Sequence, residues 1–216
     1  MPLKDIRLKK GKEESLDRFH PWVFSGALAD VSATLDILDL LGCRVAREGE
    51  TVTVHTHDGR LIGAGHFQIG SIAVRILEFG ADDITPDLYR KRLQDAFALR
   101  KALGLAREDN DAYRLVHGEG DFLPGLVVDI YGPTAVVQAH SPGMHFGRHD
   151  VARAIVELPG LGVRNVYYKS ETTLPYKAHL DPQNTYLIGD FETSVATENS
   201  LRFNIDWLRG QKTGFF

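Results

Sequence analysis

Residues 113–131 place two short apolar runs, 113–116 and 126–131, on either side of Gly118-Glu119-Gly120-Asp121 and Pro124-Gly125. Runs of that length bounded by glycine, proline and acids read as strands, and two so close together make a β-hairpin with a wide, shaped loop. Gly118 and Gly120 permit positive φ, so the backbone can bend tightly around Glu119 and Asp121. The loop lacks the Gly-Lys-Ser/Thr that would hold phosphates, so it is not a P-loop. Glu119 and Asp121 are expected to order the hairpin or to position Arg114 rather than to act as an acid/base pair.

Short strands also dominate the N-terminal part. Residues 4–10 alternate with Ile6 and Leu8 inward, and 13–19 suit a short helix with Leu16 and Phe19 on one face. Pro21 holds His20 extended, and Trp22 and Phe24 point to the same side of the strand that follows. Three more strands are expected at 51–56, 61–67 and 71–78. His57-Asp58-Gly59-Arg60 turns the first two with the Asp-Gly pair that hairpins favour. The stretch 29–50 is poorly patterned, with Leu35, Leu38 and Leu41 at helical spacing. Many short strands with one small helix argue for a compact β-barrel.

Thr85-Pro86-Asp87 carries the signature of a helix start, with a cap residue, proline at the first position and an acid in the first turn. The helix should reach about 103 and stop at Gly104, with Leu88, Leu93, Ala96, Phe97 and Leu103 as its apolar stripe. After the hairpin come a strand at 134–139, a helix at 146–158 presenting Val151, Ile155 and Leu158, and strands at 164–169, 185–188, 191–196 and 201–206. The expected class is therefore α+β: an N-terminal barrel over 1–80, then a small strand-strand-helix-strand-strand domain over 85–206.

Charge narrows the partners. The formal net charge of −4 makes the chain no polycation, so nucleic-acid contact has to come from local patches. Residues 1–28 hold six Lys/Arg (4, 7, 9, 10, 12, 18) against four acids, beside Trp22 and Phe24, a pairing that suits nucleic acid. A solvated face with a core-anchoring tryptophan is the alternative. Residues 85–107 hold six basic residues against two acids, which reads first as a solvated outer face of the helix. The single cysteine, Cys43, excludes a disulfide framework and fits a reducing, cytoplasmic setting. No signal peptide or membrane span is expected.

Lys9-Lys10-Gly11-Lys12-Glu13-Glu14-Ser15-Leu16, followed by His20-Pro21-Trp22-Val23-Phe24-Ser25-Gly26, resembles the opening of a PUA domain. The version it resembles belongs to bacterial class I S-adenosylmethionine-dependent ribosomal RNA methyltransferases of the large-subunit cytosine-C5 type. Residues 114–121 and 123–126, Val128-Asp129 and Lys169-Ser170-Glu171 match the central domain of that family. Gly210-Gln211-Lys212-Thr213-Gly214-Phe215-Phe216 resembles the segment leading into its methyltransferase domain. The resemblance implies rRNA as partner and S-adenosylmethionine as cofactor of the whole enzyme. It also implies that 207–216 begin a connection to a Rossmann-like domain absent from this chain, which alone is expected neither to bind the cofactor nor to catalyse. Candidate RNA contacts are Lys9, Lys10, Lys12, Arg18, Trp22 and Arg114. Gln211, Lys212, Thr213, Gly214, Phe215 and Phe216 are candidates for one wall of the cofactor cleft.

No catalytic residue is assigned. Cytosine-C5 chemistry needs a thiol nucleophile, and nothing around Cys43 indicates an activating neighbourhood. His55, His57, Asp58 and His66, or His140, His145 and His149, lack an identifiable full ligand set, so no metal is expected. A stand-alone, non-enzymatic RNA-binding module is the competing function, and homodimerisation is left open.

Overall fold

A computed structural model of the chain describes residues 4–29, 46–175 and 178–210. Leu35, Leu38, Leu41, Cys43 and the proposed cofactor wall, 211–216, lie outside the described residues. The chain divides into two compact units. One comprises Met1–Pro86, Ser141–Gly143 and Pro175–His179; the other comprises Asp87–His140, Met144–Leu174 and Leu180–Phe216.

The first unit is built on five strands: β1 (Lys4–Arg7), β2 (Trp22–Phe24), β3 (Thr51–His55), β4 (Leu61–Phe67) and β5 (Ile72–Phe79). They pair in the order β1-β3-β4-β5-β2, with β1 and β3 parallel and the other pairs antiparallel. The chain just beyond the two edge strands then meets. Lys9 N–H donates to Ala27 O at 2.8 Å and Ala29 N–H to Arg7 O at 2.9 Å, around a bridge between Leu8 and Leu28. This seam joins the sheet's two edges, which would otherwise expose unpaired backbone groups. Ile6, Leu8, Val23, Val52, Val54, Phe67 and Val74 fill the interior, joined by Leu16 of the short helix α1 (Glu14–Asp17). Gly63 and Gly65 let β4 lie close against β5: a Cβ there would stand 2.2 and 2.1 Å from the carbonyl oxygens of Glu78 and Arg75.

The second unit contains α2 (Leu88–Ala102) and a five-stranded sheet of β6 (Ala112–His117), β7 (Leu126–Tyr131), β8 (Thr134–Ala139), β9 (Asn165–Tyr168) and β10 (Thr185–Ile188), in the order β10-β9-β8-β7-β6. All its pairings are antiparallel except β8 with β9, whose connection carries α3 (Pro142–Phe146) and α4 (Arg148–Val156). β7, β8 and β9 are almost uniformly buried because both faces of the sheet are covered. Tyr168 of β9 meets His145 and Arg148 from the helical side, whereas its neighbour Tyr167 packs with Tyr131, Val136, Ala196 and Trp207 on the other. That second cover includes the hairpin of β11 (Val195–Glu198) and β12 (Leu201–Asn204). Asn199 and Ser200 turn it with φ of 49° and 68°, the left-handed pair a two-residue hairpin requires.

This arrangement overturns the α+β class with a strand-strand-helix-strand-strand domain. Helices and strands are not segregated: a parallel β8–helix–β9 crossover sits inside the sheet, the unit from which Rossmann-like folds are assembled. Periodicity marks a strand but not the direction of its partner. The expected start of α2 also shifts. The hydroxyl and N–H of Thr85 donate to Glu78, at 2.8 and 2.6 Å, and the helix begins at Leu88 without a side-chain cap. Leu103 is largely exposed beyond the helix end.

Arg100 departs furthest from expectation. It stands among the basic residues read as an outer face, yet it is buried beside Leu93, Ala96 and Phe97 on the inward side of α2. Its guanidinium forms a two-pronged pair with Asp121, the side chains being 10% and 4% exposed. Arg100 Nε donates to Arg114 O at 3.0 Å, and Asp121 accepts the His117 N–H at 2.6 Å. Asp121 thus orders the hairpin loop, whose bend uses Gly118 (φ +52°) and Phe122 (φ +55°).

Removing one partner of a buried ion pair leaves the other charge unsatisfied, so Asp121→Ala should lower the unfolding free energy by about 3–5 kcal/mol in a urea titration. A loss below ~1 kcal/mol would show that the pair is solvated in solution. A second prediction concerns acid. His66, half-buried opposite Arg75, has its pKa pushed down to about 4 by burial and then by that guanidinium. The unfolded chain takes up this proton near pH 6.5, so His66 stabilises the fold fully above that pH and loses its contribution as pH falls toward 4. Allowing for solvent at the ring, melts at pH 7 and 4.5 should differ by about 2 kcal/mol more in the wild-type chain than in His66→Gln.

Candidate nucleic-acid interface

The basic edge expected on the first unit lies on the connection from β1 through α1 to β2. Lys10 and Lys12 are exposed and have no ion-pair partner among the described residues. Lys9 Nζ donates to Gly26 O at 3.1 Å, which ties it to the barrel seam. Arg18 pairs with Glu14 at 2.8 Å, but both side chains are more than two-thirds exposed, so the pair contributes little and the guanidinium stays available. Trp22 and Phe24 project from β2 while Val23 points inward. The rings of His20, Trp22 and Phe24 contact one another edge-to-face, at centroid distances of 5.3 and 6.2 Å. The structure therefore brings lysines, an arginine and an aromatic row together on one unit.

Arg114 belongs to the other unit and is engaged. It faces Asp129 across the β6–β7 pair and donates to that buried carboxylate at 2.8 and 3.1 Å. This pairing raises the Arg114 pKa and leaves the guanidinium bracing two strands.

A concave site that sequence reading did not assemble lies in the second unit. A cleft of about 390 Å³ is lined by His145, Arg148, His149, Tyr168, Asp181 and Tyr186, among others. His145 Nδ1 and Tyr168 Oη share a hydrogen bond of 2.7 Å, and the Arg148 guanidinium lies 5.7 Å from the Tyr168 ring centroid. Burial, then the charges of Arg148 and His149, lowers the His145 pKa. Burial raises that of Tyr168, so both are neutral near pH 7. Among the described residues no cluster of three or more His, Cys, Asp or Glu is arranged to hold a metal. His145 and His149, noted for their spacing, line this cleft instead. Their i, i+4 spacing was legible, but Arg148 and Tyr168 carry no motif.

Where the described chain ends, Trp207 stacks on Tyr131 with an interplanar angle of 3° and a centroid distance of 5.9 Å. The buried amine of Lys169 donates to Trp207 O at 2.6 Å and to Gly210 O. The matched Lys169-Ser170 pair is thus a structural anchor, since Ser170 Oγ also accepts the Ala139 N–H at 2.8 Å. For S-adenosylmethionine, the nearest strand–loop–helix among the described residues is β8 into α3. Its loop, His140-Ser141, has no glycine, Gly143 lies inside the five-residue helix itself, and the carboxylate at the next strand end, Glu171, takes the Asn184 amide at 2.9 Å. A glycine-rich cradle with a free acid for ribose is not formed there, so these described residues do not fit the cofactor.

Residues 6–79, within the first unit, match the family model of a PUA-like domain. The chain is 32% identical over 215 residues to ribosomal RNA large subunit methyltransferase I of Vibrio vulnificus, covering 98% of this chain and 50% of that protein. It is 33% identical over 216 residues to the protein of the same name from Shewanella amazonensis, covering 98% and 51%. The chain spans about half the length of the curated relatives it matches. Among solved structures, a candidate SAM-dependent methyltransferase from Streptococcus mutans superposes with a TM-score of 0.69 at 15% identity, over 93% of this chain and 47% of that one. A second, of a candidate methyltransferase complexed with SAH, matches equally well. These superpositions show that nearly the whole chain shares the fold of about half of each of those chains, which overturns the expected α+β description with an absent Rossmann-like domain. No described helix is long and apolar enough to cross a membrane.

Replacing Lys169 with methionine removes two charge-assisted hydrogen bonds. The amides of 208–210 should then exchange with solvent at least tenfold faster while those of β7 and β8 are unchanged. Unchanged protection at 208–210 would show that Trp207 stacking alone holds the segment.

Proposed function

We propose that this chain supplies RNA recognition to an S-adenosylmethionine-dependent methyltransferase of large-subunit ribosomal RNA, with cytosine C5 as the methyl acceptor. The observation that carries the reading is the basic, aromatic edge of a PUA-like barrel, in a chain similar over nearly all its length to methyltransferases of that name. Lys10 and Lys12 contact phosphates, Arg18 joins them by releasing Glu14, and Trp22 with Phe24 offers faces on which unpaired bases stack. Lys9 positions the loop through Gly26, and Arg114 braces the hairpin. Residues 211–216, following the Lys169 anchor, are assigned to the cofactor side of the whole enzyme, which works in the cytoplasm.

The test is binding of an rRNA fragment by fluorescence anisotropy across a salt series. A Lys9/Lys10/Lys12→Ala chain should bind more weakly, and its slope of log K against log salt should flatten by roughly 2, one unit for each lysine free to meet a phosphate. Unchanged affinity and slope would remove the barrel edge from the RNA interface.

A further inference from the structure

We infer that the cleft at the start of α4 in the second unit is a binding site for one ribonucleotide 5′-phosphate. The naming of a ribonucleotide rests on the RNA-binding reading above; the anion site itself stands on the geometry of the cleft.

Four described arginines of the second unit, Arg92, Arg148, Arg202 and Arg209, have no carboxylate partner among the described residues, and of these Arg148 is the one that lines the cleft. In the second unit Arg90, Arg100, Arg107, Arg114, Arg153 and Arg164 each have a carboxylate partner within ion-pair distance. Arg148 has none among the described residues, although Asp181 lines the same cleft and Asp150 lies two positions away, paired with Arg153 at 3.1 Å. It is nevertheless held in place. One guanidinium nitrogen donates to His145 O at 2.8 Å, and the group lies over Tyr168, itself fixed by His145. A guanidinium has five N–H donors, so most of its fork remains for a planar or tetrahedral oxyanion. Holding it in advance reduces the entropy lost when an anion binds.

Two further features favour an anion. Arg148 and His149 are the first residues of the nine-residue helix α4, so the positive end of its dipole opens on the cleft. The volume of about 390 Å³ falls within the ~300–1,000 Å³ range of small-ligand sites. Tyr186 supplies a rigid apolar wall, since its ring packs on Tyr167 at 4.9 Å and its hydroxyl accepts from Trp207 Nε1 at 3.3 Å. Asp181 and Gln183 complete the lining with groups able to meet sugar hydroxyls or base amines. The Asp181 carboxylate also disfavours a polyphosphate, which limits the ligand to a single phosphate.

The experiment titrates the full chain with cytidine 5′-monophosphate and, separately, with a single-stranded oligoribonucleotide. It compares wild type, Arg148→Ala and His149→Ala, each checked by thermal melting. Arg148→Ala should weaken binding about tenfold, as loss of a charge-assisted contact does, and His149→Ala less. His149 is exposed, so that variant serves if Arg148→Ala melts early. Weakening of both ligands assigns the cleft to a nucleotide within RNA, and weakening of the monophosphate alone assigns it to a free nucleotide. Binding of both ligands unaffected by either variant, or no binding of either ligand to wild type, overturns the proposal. The lysine variant of the barrel edge should change only the oligonucleotide titration, so failure of the edge and failure of the cleft are separable.

Discussion

A buried ion pair between Arg100 and Asp121 fixes the centre of the second unit. Two desolvated charges are tolerable only when their remaining hydrogen-bonding capacity is met. Here Arg100 also donates to the Arg114 carbonyl and Asp121 also accepts from the His117 amide. One pair therefore joins α2 to β6 and to the loop that leads from β6 into β7. It sets the loop whose left-handed residue, Phe122, lies 5.1 Å from the Arg92 guanidinium. With β6 and β7 placed, β8 follows through a tight turn and β9 through the helical crossover that brings Arg148 over Tyr168.

The two units spend their basic residues differently. In the second, most arginines are engaged with carboxylates that brace strands and turns. A cluster of basic residues in the sequence is thus a poor guide to an open face. In the first unit the lysines at 10 and 12 stand clear of acids, and the backbone seam beneath them gives a firm base. For a chain of net charge −4, nucleic-acid contact depends on such local exceptions.

Some of this was legible before any coordinates. The alternation in 4–10, the Asp-Gly turn at 58–59 and the hairpin at 113–131 all appear where their patterns put them, because each depends on neighbours within a few residues. The inward fate of Arg100 was not legible, since a basic residue on a helix is ordinarily solvated and only Asp121, 21 positions away, makes its burial acceptable. The cap of α2 was misjudged for a similar reason: Glu78 competes for the Thr85 hydroxyl. The cleft escaped notice because its residues come from three separate stretches, 145–149, 168 and 181–187, none of which resembles a binding motif.

By itself the sequence determined the strand-rich barrel, the hairpin with its acidic loop, and the basic, aromatic opening segment. These follow from period-two alternation, turn chemistry and local charge, which act over short distances. Only the tertiary structure decided that β8 and β9 run parallel, that Arg114 answers Asp129, and that Arg148 is left facing a cleft without a counter-ion. Strand direction and charge pairing are settled by which distant segments share a sheet or a buried volume, and that information is distributed over the chain rather than written at any one position.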